Sequence, residues 1–430
     1  MPVTTRADEA GPPGSLRTLF VTWDGPDQSY LESLYLPIFE RIARRDPRFC
    51  FDVLQITSAA SAATQKAQRA AEARAMTYVD HGILRPSTNM GTALTIGTAA
   101  GRLLDLSRRK GTRLVLARSV IPAAVVLLSR ALQSRLPWAF DADGFMTEER
   151  RELAGWSATS LPYRVLRDVE LQGLWRSDAV LTRTRAAREL LRARAGSGLP
   201  ADKIHVVPNG SDERIFRPRS AAERAAVRAR FQLGPDAPWW IALGSAGPQY
   251  CVDESLSLFR KLRDRRPEAV LSFFTGNAEY VQARMAAAGI SEGVQVTRLD
   301  PSAVAEVLAA ADLGLALRRP SFSQRAVSPI KVAEYLLSGL PVLAHRATGD
   351  LAEDLDGCEA VRLIEGFDSD DFDGACRWFV DDVVPRRPEH AQAARARALE
   401  LYTVSRAAEG YRRALLAAAG STIRSGGSGR

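Results

Sequence analysis

Cysteine and histidine are both scarce in this chain of 430 residues. The four cysteines are Cys50, Cys251, Cys358 and Cys376, and no two of them form a Cys-x-x-Cys pair. A zinc site or a disulfide framework needs closer spacing, so we predict buried free thiols. The four histidines are scattered as well, and we predict that they are structural or exposed rather than catalytic.

The sequence also lacks any apolar run approaching the roughly twenty residues that a membrane-spanning helix requires. Charged residues make up 25% and hydrophobic residues 46% of the chain, which argues against a disordered protein as well. Residues 1–15 are polar and rich in Pro and Gly, without the apolar core of a signal peptide. We therefore predict a cytoplasmic protein with a disordered N-terminus over residues 1–15.

Basic residues exceed acidic ones, giving a formal net charge of +8. Basic clusters lie between Arg41 and Arg48 and between Arg102 and Arg113. Neither cluster has the interleaved aromatics, zinc-finger spacing or helix-turn-helix pattern of nucleic-acid-binding proteins, so we predict no nucleic-acid partner. A solvated surface is the first interpretation, and peripheral contact with the anionic inner face of the plasma membrane is the second.

The length of the chain favours two domains, because a single core rarely grows beyond about 250–300 residues. Short apolar runs alternate with helical periods, and this alternation starts again after residue 208, which predicts two parallel sheets. Predicted strands cover residues 19–22, 51–56, 114–117, 138–140, 179–181, 204–207, 240–243, 270–274, 294–297, 314–317, 342–344 and 361–364. Predicted helices cover residues 29–44, 92–109, 123–134, 163–175, 185–194, 254–263, 278–288, 304–310 and 331–338.

This pattern sets the expected domain boundaries. An N-terminal domain is expected over residues 16–208 and a C-terminal domain over residues 209–385. Residues 386–420 predict one or two terminal helices, with packing back onto the N-terminal domain as one option. Residues 421–430 are rich in Gly and Ser and predict a flexible tail.

Residues 328–343 predict a short helix with defined ends. Ser328 can cap it with its hydroxyl, Pro329 suits the first helical position, and Gly339 supplies a left-handed stop. Lys331, Glu334 and Ser338 share one face because they are spaced three and four residues apart. The remaining apolar residues form the stripe that must pack inward: Val332, Ala333, Leu336 and Leu337.

The charged face of this helix suggests a ligand with a phosphate and a diol. Free N–H groups and the positive end of the macrodipole favour an anion at the helix N-terminus, and Lys331 adds a charge there. Glu334, one turn further, can accept hydrogen bonds from two neighbouring ribose hydroxyls. A nucleotide sugar carries both groups, although a solvated Lys–Glu pair is the ordinary alternative for an isolated helix.

Several motifs resemble those of one enzyme family. Residues 206–212, Val-Val-Pro-Asn-Gly-Ser-Asp, followed by Phe216-Arg217-Pro218, resemble the interdomain junction of retaining GT-B glycosyltransferases of the GT4 type. Residues 328–343, with Thr348-Gly349-Asp350 after them, are similar to the donor-binding region of the subgroup with a Ser-Pro-x-Lys-x-x-Glu-Tyr motif. Supporting segments occur in family order at residues 140–145, 244–247 and 311–314.

The resemblance implies a GT-B fold, in which two Rossmann-like, doubly wound parallel-sheet domains face each other across a cleft. It also implies transfer of a sugar from a nucleoside diphosphate to an acceptor hydroxyl, with retention of configuration and without a metal or other cofactor. The acceptor would be a glycan, a glycolipid or a small molecule. Cell-surface polysaccharide or glycoconjugate assembly is the commonest setting among similar proteins.

The resemblance assigns roles to individual residues of this chain. The implied catalytic residues are Asp143, Lys331 and Glu334. The implied donor-binding residues are Gly244, Ser245, Gly247, Arg298, Ser323, Ser328, Pro329, Ile330, Lys331 and Glu334. The implied acceptor-binding residues are Gly25, Gln28, Ser29 and Arg118.

The chain departs from the family pattern at three places. Ala326 stands where many relatives have a second carboxylate that contacts the donor sugar, so Ser323, Gln324 or the main chain would have to make that contact. Uncharged residues fill the loop after the first C-terminal strand, where many relatives have Arg and Lys. Asp143 stands where many relatives have an active-site His, and a plain turn before Gly144 is the alternative interpretation.

Two other functions remain open at this point. A dinucleotide-dependent oxidoreductase also suits tandem parallel sheets, although Trp23-Asp24-Gly25-Pro26 replaces the usual Gly-x-Gly-x-x-Gly fingerprint after the first strand. A binding protein that keeps the nucleotide-sugar pocket without turnover would be consistent with Ala326 and with the missing His.

Overall fold

The computed structural model describes residues 14–24, 30–58, 62–84, 88–133 and 135–425. These residues form two compact units. The N-terminal unit contains the described residues up to Pro208 together with those from Val404 onward, and the C-terminal unit contains Asn209–Thr403. The segment predicted over residues 386–420 is therefore divided between the two units.

The N-terminal unit is built on a parallel sheet in which the described strands follow the order β3-β2-β1-β4-β5-β6-β7. The strands are β1 (Leu16–Trp23), β2 (Phe49–Thr57), β3 (Thr77–Gly82), β4 (Leu114–Arg118), β5 (Trp138–Asp141), β6 (Ala179–Thr182) and β7 (Ile204–Val206). The helices are α1 (Leu36–Arg45), α2 (Ala62–Glu72), α3 (Asn89–Lys110), α4 (Val120–Leu132), α5 (Met146–Ala154), α6 (Leu161–Arg176) and α7 (Arg185–Ala195).

The C-terminal unit repeats this architecture, with strands in the order β10-β9-β8-β11-β12-β13. Its strands are β8 (Trp239–Leu243), β9 (Val270–Phe274), β10 (Val294–Thr297), β11 (Leu313–Ala316), β12 (Val342–His345) and β13 (Val361–Ile364). Its helices are α8 (Ala221–Arg230), α9 (Val252–Arg265), α10 (Ala278–Ala287), α11 (Val304–Ala310), α12 (Ile330–Leu337), α13 (Leu351–Leu355), α14 (Ser369–Arg377) and α15 (Arg387–Leu401). The last helix, α16 (Val404–Ser425), packs against α1 of the N-terminal unit.

Every strand predicted from the sequence overlaps an observed strand, so the prediction of two parallel α/β sheets is confirmed. In each sheet the strand order reverses at one point, between β1 and β4 and between β8 and β11. Ligands of doubly wound folds bind beyond the carboxyl ends of the strands at such switch points. The prediction missed β3, because Thr77–Gly82 lies at the sheet edge, is largely half-buried and contains no apolar run.

Both faces of the C-terminal sheet are covered. Trp239 and Trp240 are adjacent in β8 and fully buried, yet they belong to two different apolar clusters. Successive side chains of a strand point to opposite faces, so each tryptophan anchors the helices on one side of the sheet. A strand buried on both faces explains why β8 has no polar alternation.

A buried carboxylate connects strands and helices at the amino-terminal ends of β8 and β11. Asp312 precedes β11, and its side chain is 1% exposed. It accepts a hydrogen bond from the Trp239 main-chain N–H at 2.8 Å, and Arg224, Arg228 and Arg387 surround it. Since Arg224 and Arg228 lie on α8 and Arg387 begins α15, one carboxylate connects β8 and β11 to two helices.

Replacing Asp312 by Asn should destabilise the C-terminal unit by about 3 kcal/mol, because the arginines would lose their shared counter-charge in a poorly solvated site. Urea-dependent hydrogen exchange of the β8 and β11 amides measures this loss. Asp264→Asn, at an exposed carboxylate of α9, is the matched control and should change stability by less than about 0.5 kcal/mol. Equal stability of the two variants would contradict the role of Asp312.

Candidate functional site

Helix α12 covers Ile330–Leu337, close to the predicted range 331–338, but it begins one residue later than the predicted capping by Ser328 and Pro329 requires. Pro329 occupies the N-cap position, Ile330 is the first helical residue, and no side chain caps the helix. The prediction that Ser328 caps the helix was therefore wrong. The Ser328 hydroxyl instead accepts a hydrogen bond from the Asn209 main-chain N–H at 3.2 Å, and the Ser328 carbonyl accepts one from Asn209 Nδ2 at 2.8 Å. At the other end, Gly339 has the expected left-handed backbone, with φ of +75°.

The apolar face of α12 is as predicted, but the polar face is so only in part, because Ser338, which was predicted to share it, is buried. All four residues of the apolar stripe are buried, whereas Lys331 and Glu334 are only half-buried. Tyr335 fixes the helix over the sheet, because its hydroxyl accepts a hydrogen bond from the Leu243 main-chain N–H at 2.9 Å. Its ring crosses Gly314 so closely that a Cβ there would lie 2.3 Å from a ring carbon. Gly314 is therefore required by this packing.

Lys331 lies beside the loop that follows β8. A side chain on Gly244 would come within 3.9 Å of Lys331 Nζ, and Gly244 has a φ of +103° that favours glycine. Gly247 is different, since its φ of 172° is an extended conformation that any residue adopts. A pocket opens at this place and is lined by Gly244, Ser245, Tyr250, Thr275, Leu317 and Lys331, among others.

A second cation reaches the same place from the loop after β11. Lys331 Nζ lies 5.1 Å from the centre of the Tyr250 ring, and the Arg318 guanidinium carbon lies 4.9 Å from it. Arg318 Nε donates a hydrogen bond to Gln324 Oε1. The sequence prediction named neither Arg318 nor Tyr250, and it considered Gln324 only as an alternative contact to the donor sugar. The signal that could have indicated Arg318 is its position just after a buried strand.

The charges at this site are not neutralised by the protein. Within the described residues, Arg318, Lys331 and Glu334 form no ion pair within 4.0 Å, although all three are half-buried. Burial, together with the positive charge of nearby Arg318, lowers the pKa of Lys331 to about 7 against the opposing effect of Glu334. Burial also raises the pKa of Glu334 to about 7 against the opposing effect of Lys331. Unpaired groups in such surroundings are costly, which is typical of a binding site.

The other predicted donor residues lie at different distances from this pocket. Ser245 lines it, and Ile330 is half-buried at the start of α12. Ser323 is buried in a turn that precedes α12, where Ala326 is also buried. Arg298 is exposed after β10, a strand separated from β8 by β9. The structure thus brings together Lys331, Gly244 and Ser245 at the pocket, with Glu334 one turn further along α12 near Lys331, but it does not bring Arg298 there.

The N-terminal unit has a buried ionic cluster at the carboxyl ends of β4, β5 and β6. Its members are Asp24, Tyr35, Arg118, Asp141, Asp143, Arg183 and Tyr411. Arg118 Nη1 contacts Asp24, and the Arg118 guanidinium lies 4.9 Å from the Tyr35 ring centre. The predicted acceptor residues Gly25, Gln28 and Ser29 lie outside the described residues.

Asp143 is held on several sides within this cluster. Its carboxylate accepts hydrogen bonds from Arg118 Nε at 2.9 Å and from the Tyr35 hydroxyl at 3.2 Å, and Arg183 Nε lies 3.2 Å away. Burial alone would raise the pKa of Asp143, but Arg183 and Arg118 lower it to about 2. Asp143 is therefore a fixed carboxylate that stays ionised at neutral pH.

The deepest part of the cluster depends on α16. The Tyr411 hydroxyl donates to Asp141 Oδ2 at 2.6 Å and accepts from Arg183 Nη2 at 2.7 Å. Arg183 also donates to Asp141 at 2.8 Å, and burial raises the pKa of Asp141 despite this partner. The sequence prediction missed these three residues. Asp141 ends β5 and Arg183 follows β6, but no local pattern connects either residue with Tyr411.

Comparisons with known proteins bear on the fold. No protein-family model and no curated protein matches the sequence. Sucrose-phosphate synthase from Thermosynechococcus elongatus superposes with a TM-score of 0.72 at 14% identity, covering 95% of this chain and 99% of that chain. Anabaena Alr3699/HepE in complex with UDP and glucose gives 0.69 at 15% identity, covering 95% and 100%. The fold is therefore that of the GT-B glycosyltransferases.

The same fold also occurs outside the transferases. UDP-GlcNAc 2-epimerase from Neisseria meningitidis, bound to UDP-GlcNAc, matches with a TM-score of 0.58 at 13% identity, covering 93% of this chain and 99% of that chain. At such low identities the likeness establishes the fold alone. The activity must be argued from the site residues.

The amino group of Lys331 should titrate near neutral pH in the ligand-free protein, because burial and Arg318 both disfavour its charged form. Competitive acetylation over a pH series, analysed by peptide mass spectrometry, should give a midpoint of about 7 for Lys331. The Lys331→Arg variant lacks this reactive amine, so the acetylated peptide that disappears in the variant is the one that contains Lys331. A midpoint near the ordinary lysine value of about 10.4 would contradict this description of the site.

Proposed function

We propose that this chain is a retaining glycosyltransferase of the GT4 type that uses a nucleoside diphosphate sugar. The observation that carries the proposal is the pair of half-buried side chains of Lys331 and Glu334 on one face of α12, neither of which forms an ion pair among the described residues, with Lys331 beside Gly244. A diphosphate would pair with the cation of Lys331, and ribose hydroxyls would donate hydrogen bonds to the carboxylate of Glu334. One nucleotide can therefore bind both side chains. The UDP-containing complexes of Anabaena Alr3699/HepE support this choice of ligand class.

In the proposed reaction, the bond between the sugar and the diphosphate breaks as the sugar carbon bonds to the oxygen of an acceptor hydroxyl, and the proton of that hydroxyl passes to the leaving diphosphate. Negative charge then accumulates on the leaving diphosphate. Lys331 stabilises that charge more strongly in the transition state than in the ground state, which is the requirement for electrostatic catalysis. Gly244 lets the main chain approach the diphosphate, while Glu334 holds the ribose in place. The proposed reaction needs no metal or other cofactor.

The N-terminal unit would bind the acceptor. Asp143 and Arg118 are the proposed contacts, since their side chains keep 19% and 12% of their surface exposed although they are fixed by partners. A carboxylate that stays ionised can accept a hydrogen bond from a sugar hydroxyl and orient it without taking its proton. The proposed acceptors are a glycan, a glycolipid or a small molecule in cell-surface polysaccharide or glycoconjugate synthesis.

The decisive experiment incubates the protein with UDP-, GDP-, dTDP- and ADP-glucose in the presence of a panel of simple glycoside acceptors and measures both diphosphate release and formation of the new glycoside. Lys331→Ala should lower turnover by about a hundredfold or more, because it removes a group that stabilises the leaving charge. Glu334→Gln should weaken donor binding by about tenfold, through loss of charge-assisted hydrogen bonds to the ribose. NMR of the product should show the anomeric configuration of the donor.

Lys261→Ala is the matched control, since Lys261 lies on α9 of the same unit and pairs with Asp373. It should leave turnover unchanged. Tight diphosphate binding without turnover would favour the non-catalytic alternative. Conversion of the donor sugar to its epimer would favour an epimerase, and nicotinamide fluorescence on mixing would favour an oxidoreductase.

We also propose peripheral contact with an anionic membrane through α3. Arg102, Arg108 and Arg109 are exposed in the C-terminal half of this helix, and Arg113 is exposed three residues after its end. The carboxylate of Asp105 pairs with Arg102 and Arg109. Exposed basic residues contribute about 1 kcal/mol each to binding at an anionic surface. None of the helices in the described residues combines the length and apolar character that a bilayer span requires.

Sedimentation with phosphatidylglycerol vesicles tests this contact. Binding should be measurable at low ionic strength and should be lost at high salt, because the screening length falls to about 3 Å at 1 M. Arg108→Gln combined with Arg109→Gln should weaken binding by roughly tenfold or more. Binding that ignores both salt and these substitutions would contradict the proposal.

A further inference from the structure

Arg318 is a charged residue without a charged partner. Among the described residues its guanidinium forms no ion pair, and its known contacts are the Tyr250 ring and the Gln324 side chain. It is half-buried two residues after β11. Elsewhere in the same unit, the buried Arg228 has Asp312 as its counter-ion. A half-buried arginine that lacks such a partner needs an anion from outside the protein.

Gln324 determines how Arg318 is presented. Gln324 is 2% exposed, and its Oε1 accepts the hydrogen bond from Arg318 Nε. Arginine has only donors, so the amide oxygen rather than the amide nitrogen must face it. This contact uses the Nε edge of the guanidinium and fixes its plane, while the two terminal nitrogens remain available. A planar pair of donors of this kind matches phosphate oxygens.

Arg319 determines where Tyr250 lies. The Arg319 main-chain N–H donates to the Gln249 carbonyl at 3.0 Å, and its guanidinium lies 2.5 Å from Glu254 at the start of α9. These contacts connect the loop after β11 with the loop after β8. They hold Tyr250 where Arg318 and Lys331 both lie about 5 Å from its ring. The two adjacent arginines thus have different roles: Arg318 lies at the pocket, and Arg319 fixes the loop that carries Tyr250.

We propose that Arg318 is the second cation of the diphosphate site, binding phosphate oxygens together with Lys331 over the shared Tyr250 ring. Gln324 and Arg319 are positioning residues for it. The inference rests on the proposed function and deepens it. A diphosphate diester carries two negative charges, and Lys331 alone supplies one positive charge at most. Arg318 supplies the second from the loop after β11, where the loop after β8 has only uncharged residues such as Ser245 and Gln249.

The test compares the binding of UDP, GDP, dTDP and ADP with that of the corresponding nucleosides by isothermal titration calorimetry. Arg318→Gln should weaken diphosphate binding by about tenfold to a hundredfold and leave nucleoside binding unchanged, because only the diphosphate contacts the guanidinium. Gln324→Glu keeps the size of the side chain but pairs Arg318 with an internal carboxylate. It should therefore reduce diphosphate binding although Arg318 is still present.

Arg325→Gln is the control, since Arg325 is an exposed cation in the same turn as Gln324. It removes the same charge and should leave diphosphate affinity unchanged. A second measurement needs no ligand. The pH midpoint for acetylation of Lys331 should rise in the Arg318→Gln variant, because a neighbouring positive charge is lost. A role of Arg318 in folding alone would not produce this rise.

The outcomes separate this inference from the proposed function. If the wild-type protein binds a diphosphate and Arg318→Gln binds it equally well, the inference is overturned while the proposed function stands. If the wild-type protein binds none of the four diphosphates, both are overturned. If Arg325→Gln loses as much diphosphate affinity as Arg318→Gln, the loss reflects only the lower positive charge of the protein, and the specific role of Arg318 is overturned.

Discussion

Tyr335 connects α12 to both strands at the switch point of the C-terminal sheet. Its ring lies on Gly314 of β11, and its hydroxyl accepts the last main-chain N–H of β8. Lys331 precedes it by one turn and Glu334 is its neighbour, so the placement of both residues relative to the sheet follows from these two contacts. A larger residue at Gly314 would lift the helix, and both charged side chains would move with it. The geometry of the candidate site is therefore set by packing in the core.

The unpaired charges of the site carry the functional argument. Most buried charges in the described residues have partners, as Asp312 and Asp143 illustrate. No such ion pair is formed in this part of the chain by Arg318, Lys331 or Glu334. Burial therefore disfavours the charged forms of two of them, which raises the pKa of Glu334 and lowers that of Lys331. Because the fold is shared by transferases and epimerases, these three side chains say more about the reaction than the two sheets do.

The sequence predicted the features that depend on local order. Strand-helix alternation gave both sheets, and the spacing within residues 328–343 gave the apolar and charged faces of α12. It failed where contacts join distant segments. Ser328 was predicted to cap α12, but its hydroxyl accepts a hydrogen bond from the main-chain N–H of Asn209, which is more than a hundred residues away in the chain. Tyr411, Arg183 and Asp141 form one buried group only after folding, and no spacing rule relates three residues on different elements.

The last helix has a consequence for the order in which the protein can be made. Tyr411 enters the N-terminal ionic cluster only after the ribosome has synthesised the whole C-terminal unit. Until then the nascent chain holds Arg183 and Asp141 without the hydroxyl that joins them. The first sheet can form early during translation, but its interior becomes complete only after α16 has been synthesised. The N-terminal unit is thus finished only after the chain of the C-terminal unit has been made.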